Sequence, residues 1–324
     1  MNEFIFGKIV KSTSGLLWVT LLSIVLFTAC KEQPHGIQLK DLGQTQSPVA
    51  TSALTPSPSP TAEPSYTRQA TLVAVGDVMM HSPQITAGYD KATQTYNYDS
   101  FFSEVKAILS TGDWAVANLE TPLAGKEAGY SGYPQFNAPA ELADAMKNAG
   151  FNIITTANNH SLDRREHGVI NTLEHLHARG LTTVGTAISQ TDANKITIVT
   201  KNEISMAILA YTYGTNGIPI PEGKDYLVSL IDEEKMIQDI ARAREQGVDL
   251  VTIVLHFGLE YQRQPNEQQK QLVEHLIKAG ADIILGSHPH VVQPYQFIDT
   301  VGIDGLMKRG LAIYSMGNFI SNQT

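Results

Sequence analysis

Five apolar runs in this chain each end on a side chain able to bind a metal ion or move a proton. "LVAVG" runs into Asp77, "WAVANL" into Glu120, "IITTA" into Asn158, Asn159 and His160, "TIVL" into His256, and "IILGS" into His288 and His290. Neutral imidazole and carboxylate oxygen suit divalent zinc, manganese or iron. An all-oxygen set would favour calcium or magnesium, and a thiolate cluster is excluded because Cys30 is the only cysteine. Three histidines, two carboxylates and an asparagine are more than one ion needs, whereas two ions bridged by a carboxylate would use them all. Taken singly, Asp77 reads equally as a helix cap, Asn159 as a turn residue and His256 as a core histidine. His288 and His290 are different. They follow a buried strand with only Pro289 between them, and desolvating two imidazoles together is costly unless something binds them.

Residues so far apart in sequence meet only if the strands that deliver them end at one edge of a sheet, which is where ligands gather in open α/β architectures. From residue 70 the chain alternates β-rich apolar runs with amphipathic helical stretches, predicting an α/β fold with a largely buried sheet. Strands are predicted at 71–76, 114–118, 152–157, 205–211, 250–257, 282–286 and 311–317. Helices are predicted at 99–110, 139–149, 166–179, 232–246 and 266–279. The tags "NAG", "ARG", "EQG" and "KAG" place glycine where four of these helices should stop. His167, His175, His177 and His275 fall in helical stretches beside charged residues and are read as solvated.

Residues 1–69 read differently. Lys8 and Lys11 precede the apolar run "LLWVTLLSIVLF", which has signal-peptide length and is short for a membrane-spanning helix. "FTAC" then ends in Cys30. This ending resembles the lipobox of bacterial lipoproteins, which implies that residues 1–29 are a signal peptide, that Cys30 is lipidated and that the domain sits on the extracytoplasmic face of a bacterial membrane; the alternative is a short uncleaved anchor helix with an incidental cysteine. Residues 30–69 are expected to form a disordered Ser/Thr/Pro-rich tether, since "QTQSPVATSALTPSPSPTAEPSY" has too few large apolar side chains to offset its ordering entropy. The folded domain is expected to occupy 70–324. A formal net charge of −9 with thinly spread Lys and Arg offers no basic stripe, which argues against a nucleic-acid partner.

The ordered set "GDVMMH", "ANLETPL", "GFNIITTANNHSLD", "LHFGLEY", "GSHPHVVQP" and "YSMGNFI" resembles the capsule synthesis protein CapA family, the poly-gamma-glutamate capsule proteins within the calcineurin-like metallophosphoesterase superfamily. The resemblance implies a β-sandwich flanked by helices. It implies metal ligands at Asp77, Glu120, Asn159, His256, His288 and His290, and it places His160 beside the substrate as acid or electrostatic stabiliser. Asp163, three residues on, would orient the His160 ring, or cap a helix. Two departures stand out. Met79 occupies the position where the phosphoesterase pattern has histidine, leaving His81 as an additional candidate ligand, and glutamate replaces the bridging aspartate at 120. The resemblance also implies further strands beyond Thr324.

These readings give a lipid-anchored protein of capsule or poly-gamma-glutamate biosynthesis or export, with two divalent ions (Mn, Fe or Zn) in a site of phosphoesterase type. Arg164 and Arg165 are candidates to meet an anionic polymer or phosphoester substrate, and Glu260 is a candidate neighbour of His256. The alternative is a non-catalytic assembly or polyglutamate-binding factor of a membrane capsule-synthesis complex. A metal-assisted hydrolase or transpeptidase acting on the polymer's amide bond is a third possibility, because no serine or cysteine nucleophile pattern is present.

Overall fold

The computed structural model describes residues 6–12 and 67–323. The expected signal-peptide run, Cys30 and nearly all of the tether lie outside the described residues. Among the described residues no helix is long and apolar enough to cross a membrane.

Two six-stranded sheets form the body. The first contains β1 (Phe6–Ser12), β2 (Thr67–Val78), β5 (Trp114–Leu119), β6 (Ile153–Thr155), β7 (Thr182–Val184) and β14 (Asn318–Ile320). The second contains β8 (Thr197–Lys201), β9 (Ile204–Thr212), β10 (Leu250–His256), β11 (Ile283–Ser287), β12 (Tyr295–Val301) and β13 (Met307–Ile313). The short pair β3 (Tyr89–Asp90) and β4 (Thr95–Tyr96) lies apart. Within the first sheet β2, β5, β6 and β7 run parallel. Within the second, β9, β10, β11 and β13 run parallel, with β8 and β12 as antiparallel edges.

Alternation along each strand shows how the layers stack. Leu72 of β2, Trp114 and Val116 of β5, Met206 and Ile208 of β9 and Leu285 of β11 all enter one apolar cluster, which therefore lies between the sheets. Their odd-numbered or even-numbered neighbours face outward. Val73, Val75, Ala115 and Ala117 pack under helix α3 (Glu141–Ala149), while Ala207, Val251, Ile253 and Ile284 pack under α6 (Glu233–Glu245) and α7 (Glu267–Ala279). Strands buried on both faces must be apolar throughout, which is why their sequences read as continuous runs. The fold is thus a mixed α/β sandwich with helices on both outer faces, the architecture that the resemblance implied; the single buried sheet suggested by periodicity alone is two.

The remaining helices are α1 (Ser82–Ala87), α2 (Lys106–Leu109), α4 (Arg165–Ala178) and α5 (Gln190–Ala193). The helix predicted over 99–110 is broken: a single 3-10 turn covers Asp99–Phe101, and only Lys106–Leu109 is α-helical. The four glycine stops hold. Gly150, Gly180, Gly247 and Gly280 all adopt positive φ just beyond α3, α4, α6 and α7, a conformation that glycine reaches without Cβ strain.

The chain crosses between the layers twice, first from β7 to β8 and again near its end. After β13 in the second sheet, Tyr314–Gly317 passes over to the first, where β14 pairs with the end of β2. On the way the Met316 N–H donates to Gly286 O at 2.9 Å and Gly317 O accepts from Asp77 N–H at 3.0 Å. This strap sits so close that a Cβ on Gly76 would lie 1.8 Å from Gly317 O, and one on Gly286 would lie 1.9 Å from Tyr314 O.

Candidate metal centre

All five parallel-strand ends named at the outset converge at the edge crossed by this strap. Gly76 places Asp77. The β2–β5 register slips between Val75 and Asp77, a bulge that turns the next side chain. Asp77 is fully buried. Its Oδ1 accepts from Asn118 Nδ2 at 2.7 Å, its Oδ2 accepts from the His288 N–H at 3.2 Å, and His290 Nδ1 lies 3.5 Å from Oδ2. From the second sheet His256, the last residue of β10, brings Nε2 to 2.8 Å from Asn159 Oδ1 and 3.5 Å from Glu120 Oε1. Its Nδ1 is within 3.0 Å of Ser287 Oγ.

His288 and His290 occupy an unusual turn. Both have positive φ, 97° and 58°, a backbone state that costs non-glycine residues energy and persists where the surroundings enforce it. Pro289 fixes the backbone between them. The two rings therefore diverge: His290 Nδ1 bonds Asn318 Oδ1 at 2.9 Å, while His288 packs 4.9 Å from the His256 ring and 4.5 Å from Tyr213.

The polar satisfaction of this cluster is incomplete in a telling way. Among the described residues, both carboxylate oxygens of Glu120 and the Nδ1 of His288 are buried with no hydrogen-bond partner. Buried polar atoms are seldom left unpaired, since each costs roughly 1–3 kcal/mol. Three sets of ligand atoms lie within 4.8 Å of one another: Asp77 with Glu120 and His290, Glu120 with His256 and His288, and Glu260 with His288 and His290. Glu120 is shared by the first two sets, the position of a bridging group. Orphaned oxygen and nitrogen donors of this kind fit divalent zinc, manganese or iron.

Electrostatics in the protein alone point the same way. Burial, followed by the nearby Asp77 carboxylate, pushes Glu120 well above the ordinary carboxylate range. Burial opposes ionisation of Asp77 too, but the His290 hydrogen bond, the charges of His256 and His290 and the Asn118 amide outweigh it and pull Asp77 down to about 2. Burial lowers His256 well below its usual value, and burial with the neighbouring His290 brings His288 down to about 4. Both rings are thus neutral at pH 7 and offer lone pairs, as metal ligation requires.

His160 lies on the same edge, after β6. Its Nδ1 is 2.7 Å from Asp163 Oδ2, which also accepts from the Phe136 N–H at 2.7 Å. Both residues are buried, so the Asp163 carboxylate fixes the Nδ1–H tautomer and leaves Nε2 facing Asn216 Nδ2 at 3.5 Å. Asp163 thus orients the ring. His81 caps α1 and packs edge-on against Phe136 with ring centroids 5.2 Å apart. It belongs to none of the three ligand sets, and its Nδ1 accepts from the Asn322 N–H at 3.2 Å. Arg164 spends its guanidinium on Ser131 Oγ and on Gln135 O, and Arg165 is exposed at the start of α4.

Four contributors were not legible as site residues. Asn118 lies two residues before Glu120, Asn216 fifty-six after His160, Tyr213 forty-three before His256 and Asn318, within "YSMGNFI", twenty-eight after His290; Asn118, inside "WAVANLE", carried a signal of its own, a polar residue in a strand otherwise apolar on both faces.

The chain matches the profile of the family described as bacterial capsule synthesis protein PGA_cap over residues 71–323. It is 31% identical over 255 residues to the PGA biosynthesis protein CapA of Bacillus subtilis (strain 168), covering 77% of this chain and 62% of that protein. It is 29% identical over 264 residues to the capsule biosynthesis protein CapA of Bacillus anthracis, covering 78% and 60%. The chain thus spans less than two thirds of the length of these two relatives. Among solved structures, a calcineurin-like phosphoesterase from Bacillus subtilis aligns with a TM-score of 0.39 and 16% identity, covering 69% of this chain and 72% of that one.

Proposed function

Since the chain belongs to the bacterial capsule synthesis protein family PGA_cap, we propose that it serves the production or export of a poly-gamma-glutamate type capsule polymer through a two-metal site of phosphoesterase type. The observation that carries the chemistry is the buried, unpartnered set of Glu120 oxygens and His288 Nδ1 at the meeting point of both sheets. Asp77, Glu120, Asn159, His256, His288 and His290 would hold two divalent ions. When bound, such ions lower the pKa of a coordinated water and neutralise phosphoryl oxygens.

The protein's own groups do the rest. Asn118 and the His288 N–H fix the Asp77 carboxylate through its two oxygens, and Asn318 and Ser287 orient His290 and His256. His160, with Nδ1–H committed to Asp163, presents Nε2 at the site; as the imidazolium, protonated on both nitrogens, it would give the Nε2 proton to the departing oxygen of a phosphoester and return to the neutral Nδ1–H form. Phe136 packs edge-on over the same ring at 4.7 Å and shields it from bulk water. Anchoring through Cys30 on the extracytoplasmic membrane face is part of the same proposal; the apolar run with two preceding lysines supports it.

Metal content of the purified chain, followed by turnover assays with phosphomonoesters, phosphodiesters and polyglutamate, tests this reading. At least one bound ion per chain, lost on joint His288→Ala and His290→Ala substitution, is expected together with phosphate release that His160→Asn abolishes. Metal binding without turnover on any of these substrates would shift the assignment to a binding role in a capsule-synthesis complex. Absence of metal would remove the chemistry altogether.

A further inference from the structure

Glu260 follows β10 by four residues and is exposed, yet its carboxylate lies within 4.8 Å of ligand atoms of both His288 and His290. We infer that Glu260 is a direct metal ligand, supplying an oxygen donor that completes a set with His288 and His290 on the solvent side of the centre. The inference rests on the metal reading above and extends its ligand set to a residue of the β10–α7 loop.

Three observations carry it. First, Glu260 makes no hydrogen bond or ion pair among the described residues, so nothing else holds the carboxylate where it is. Second, His288 is 4% exposed and its Nδ1 has no partner, a buried lone-pair nitrogen left open on one of the two histidines that Glu260 stands beside. Third, the loop is tied to the histidine turn at two points: the Tyr261 N–H donates to Pro289 O at 2.8 Å, and Gln293 Nε2 donates to Gln262 O at 2.8 Å. Tyr261 accepts a left-handed φ of 63° to make the first of these, a cost that surrounding contacts must sustain. The loop is therefore registered on the two imidazoles, and Glu260 with it. A carboxylate beside two imidazoles is a donor set for divalent manganese, iron or zinc.

The test uses the full chain stripped with a chelator and titrated with Mn2+ by calorimetry and by electron paramagnetic resonance. Glu260→Gln keeps shape and polarity while removing the anionic donor. Its Mn2+ affinity should fall about a hundredfold at one site, with the melting temperature of the metal-free protein unchanged, and Glu260→Asp should recover part of the loss. Affinity within threefold of the parent chain would overturn the assignment while leaving the centre itself intact. A lower metal-free melting temperature in Glu260→Gln would give the residue a structural part instead and would equally overturn it. Failure of the parent chain to bind Mn2+ while Glu120→Gln behaves identically would instead remove the underlying metal reading.

Discussion

Replacing Glu120 by methionine should make the metal-free protein more stable and the metal-treated protein comparatively less so. Glu120 is fully buried, neither carboxylate oxygen has a hydrogen-bond partner among the described residues, and Asp77 stands beside it. Methionine fills nearly the same volume with apolar atoms, and removing an unsatisfied buried polar group recovers roughly 1–3 kcal/mol. Taking about 2 kcal/mol, and roughly 2–4 °C per kcal/mol for a domain of this size, the gain is about 4–8 °C in melting temperature. The sign with pH follows from the raised pKa. A carboxyl whose folded pKa lies above its unfolded value of 4.5 favours folding below that value, and the advantage is lost as pH rises through the folded pKa. The stability gap between Glu120→Met and the parent chain should therefore widen from about pH 4.5 upward. At Mn2+ a hundredfold above its dissociation constant the parent should gain about 2.7 kcal/mol and the variant nothing, reversing the order. Thermal melts by circular dichroism in chelator and in Mn2+, at two pH values, measure all of this. A Glu120→Met protein that melts at or below the parent in chelator would refute the reasoning, because Glu120 would then be satisfied without metal.

Asp163→Asn should slow hydrolysis of an aryl phosphate about a hundredfold with metal content unchanged, since the His160 ring loses its anionic partner; turnover at the parent rate would deny Asp163 its orienting part. Gly76→Ala should cost about 3 kcal/mol or more, because a Cβ 1.8 Å from Gly317 O forces the strap off β2, and a denaturant midpoint equal to the parent's would show the strap to be pliable. In chelator the His288 contribution to stability should fall as pH drops from about 6.5 towards 4, because His288 is held near 4 in the folded chain while the unfolded chain takes up its proton; the melting-temperature difference between the parent chain and His288→Asn, followed over that range, should therefore shift against the parent, and a constant difference would deny the shift. Cys30→Ala should release the protein from membranes on fractionation, and continued retention would favour an uncleaved helix.

The motifs gave away much of this site because strand ends are where chain direction and chemistry coincide. A run apolar on both faces signals a buried parallel strand, and a polar residue breaking it signals the edge at which that strand delivers its cargo; Asp77, Glu120, Asn159, His256 and the histidine pair were all readable by that logic. Helix stops were readable because Gly150, Gly180, Gly247 and Gly280 take up a conformation that few other residues tolerate. What periodicity could not convey was the partition into two sheets, since β2 and β9 carry the same pattern whichever sheet they join. Nor could it show the strap, whose residues read as the end of a strand, although Asn318 beyond it holds His290. The helix predicted over 99–110 failed because Phe101 and Val105 pack onto the cluster under α3, and this tertiary packing overrode local propensity. His81, the additional candidate on the segment after β2, stands at the start of α1, a helix boundary that counting residues from Asp77 does not reveal.

The strap and the sheets it joins also fix an order of events. Asp77, Glu120, Asn159 and His160 belong to the first sheet, His256, His288 and His290 to the second, and the contact between Asp77 and the His288 N–H spans 211 residues. Each sheet has its own helical layer and can gather its half of the ligands, but neither half is a site. The centre comes into being only when the two layers dock and Tyr314–Gly317 closes across them, so contacts of such long separation form late. Metal occupancy then becomes a readout of completed folding: a half-assembled chain holds no complete ligand set, and an ion captured once the two layers have met would lock the sandwich shut.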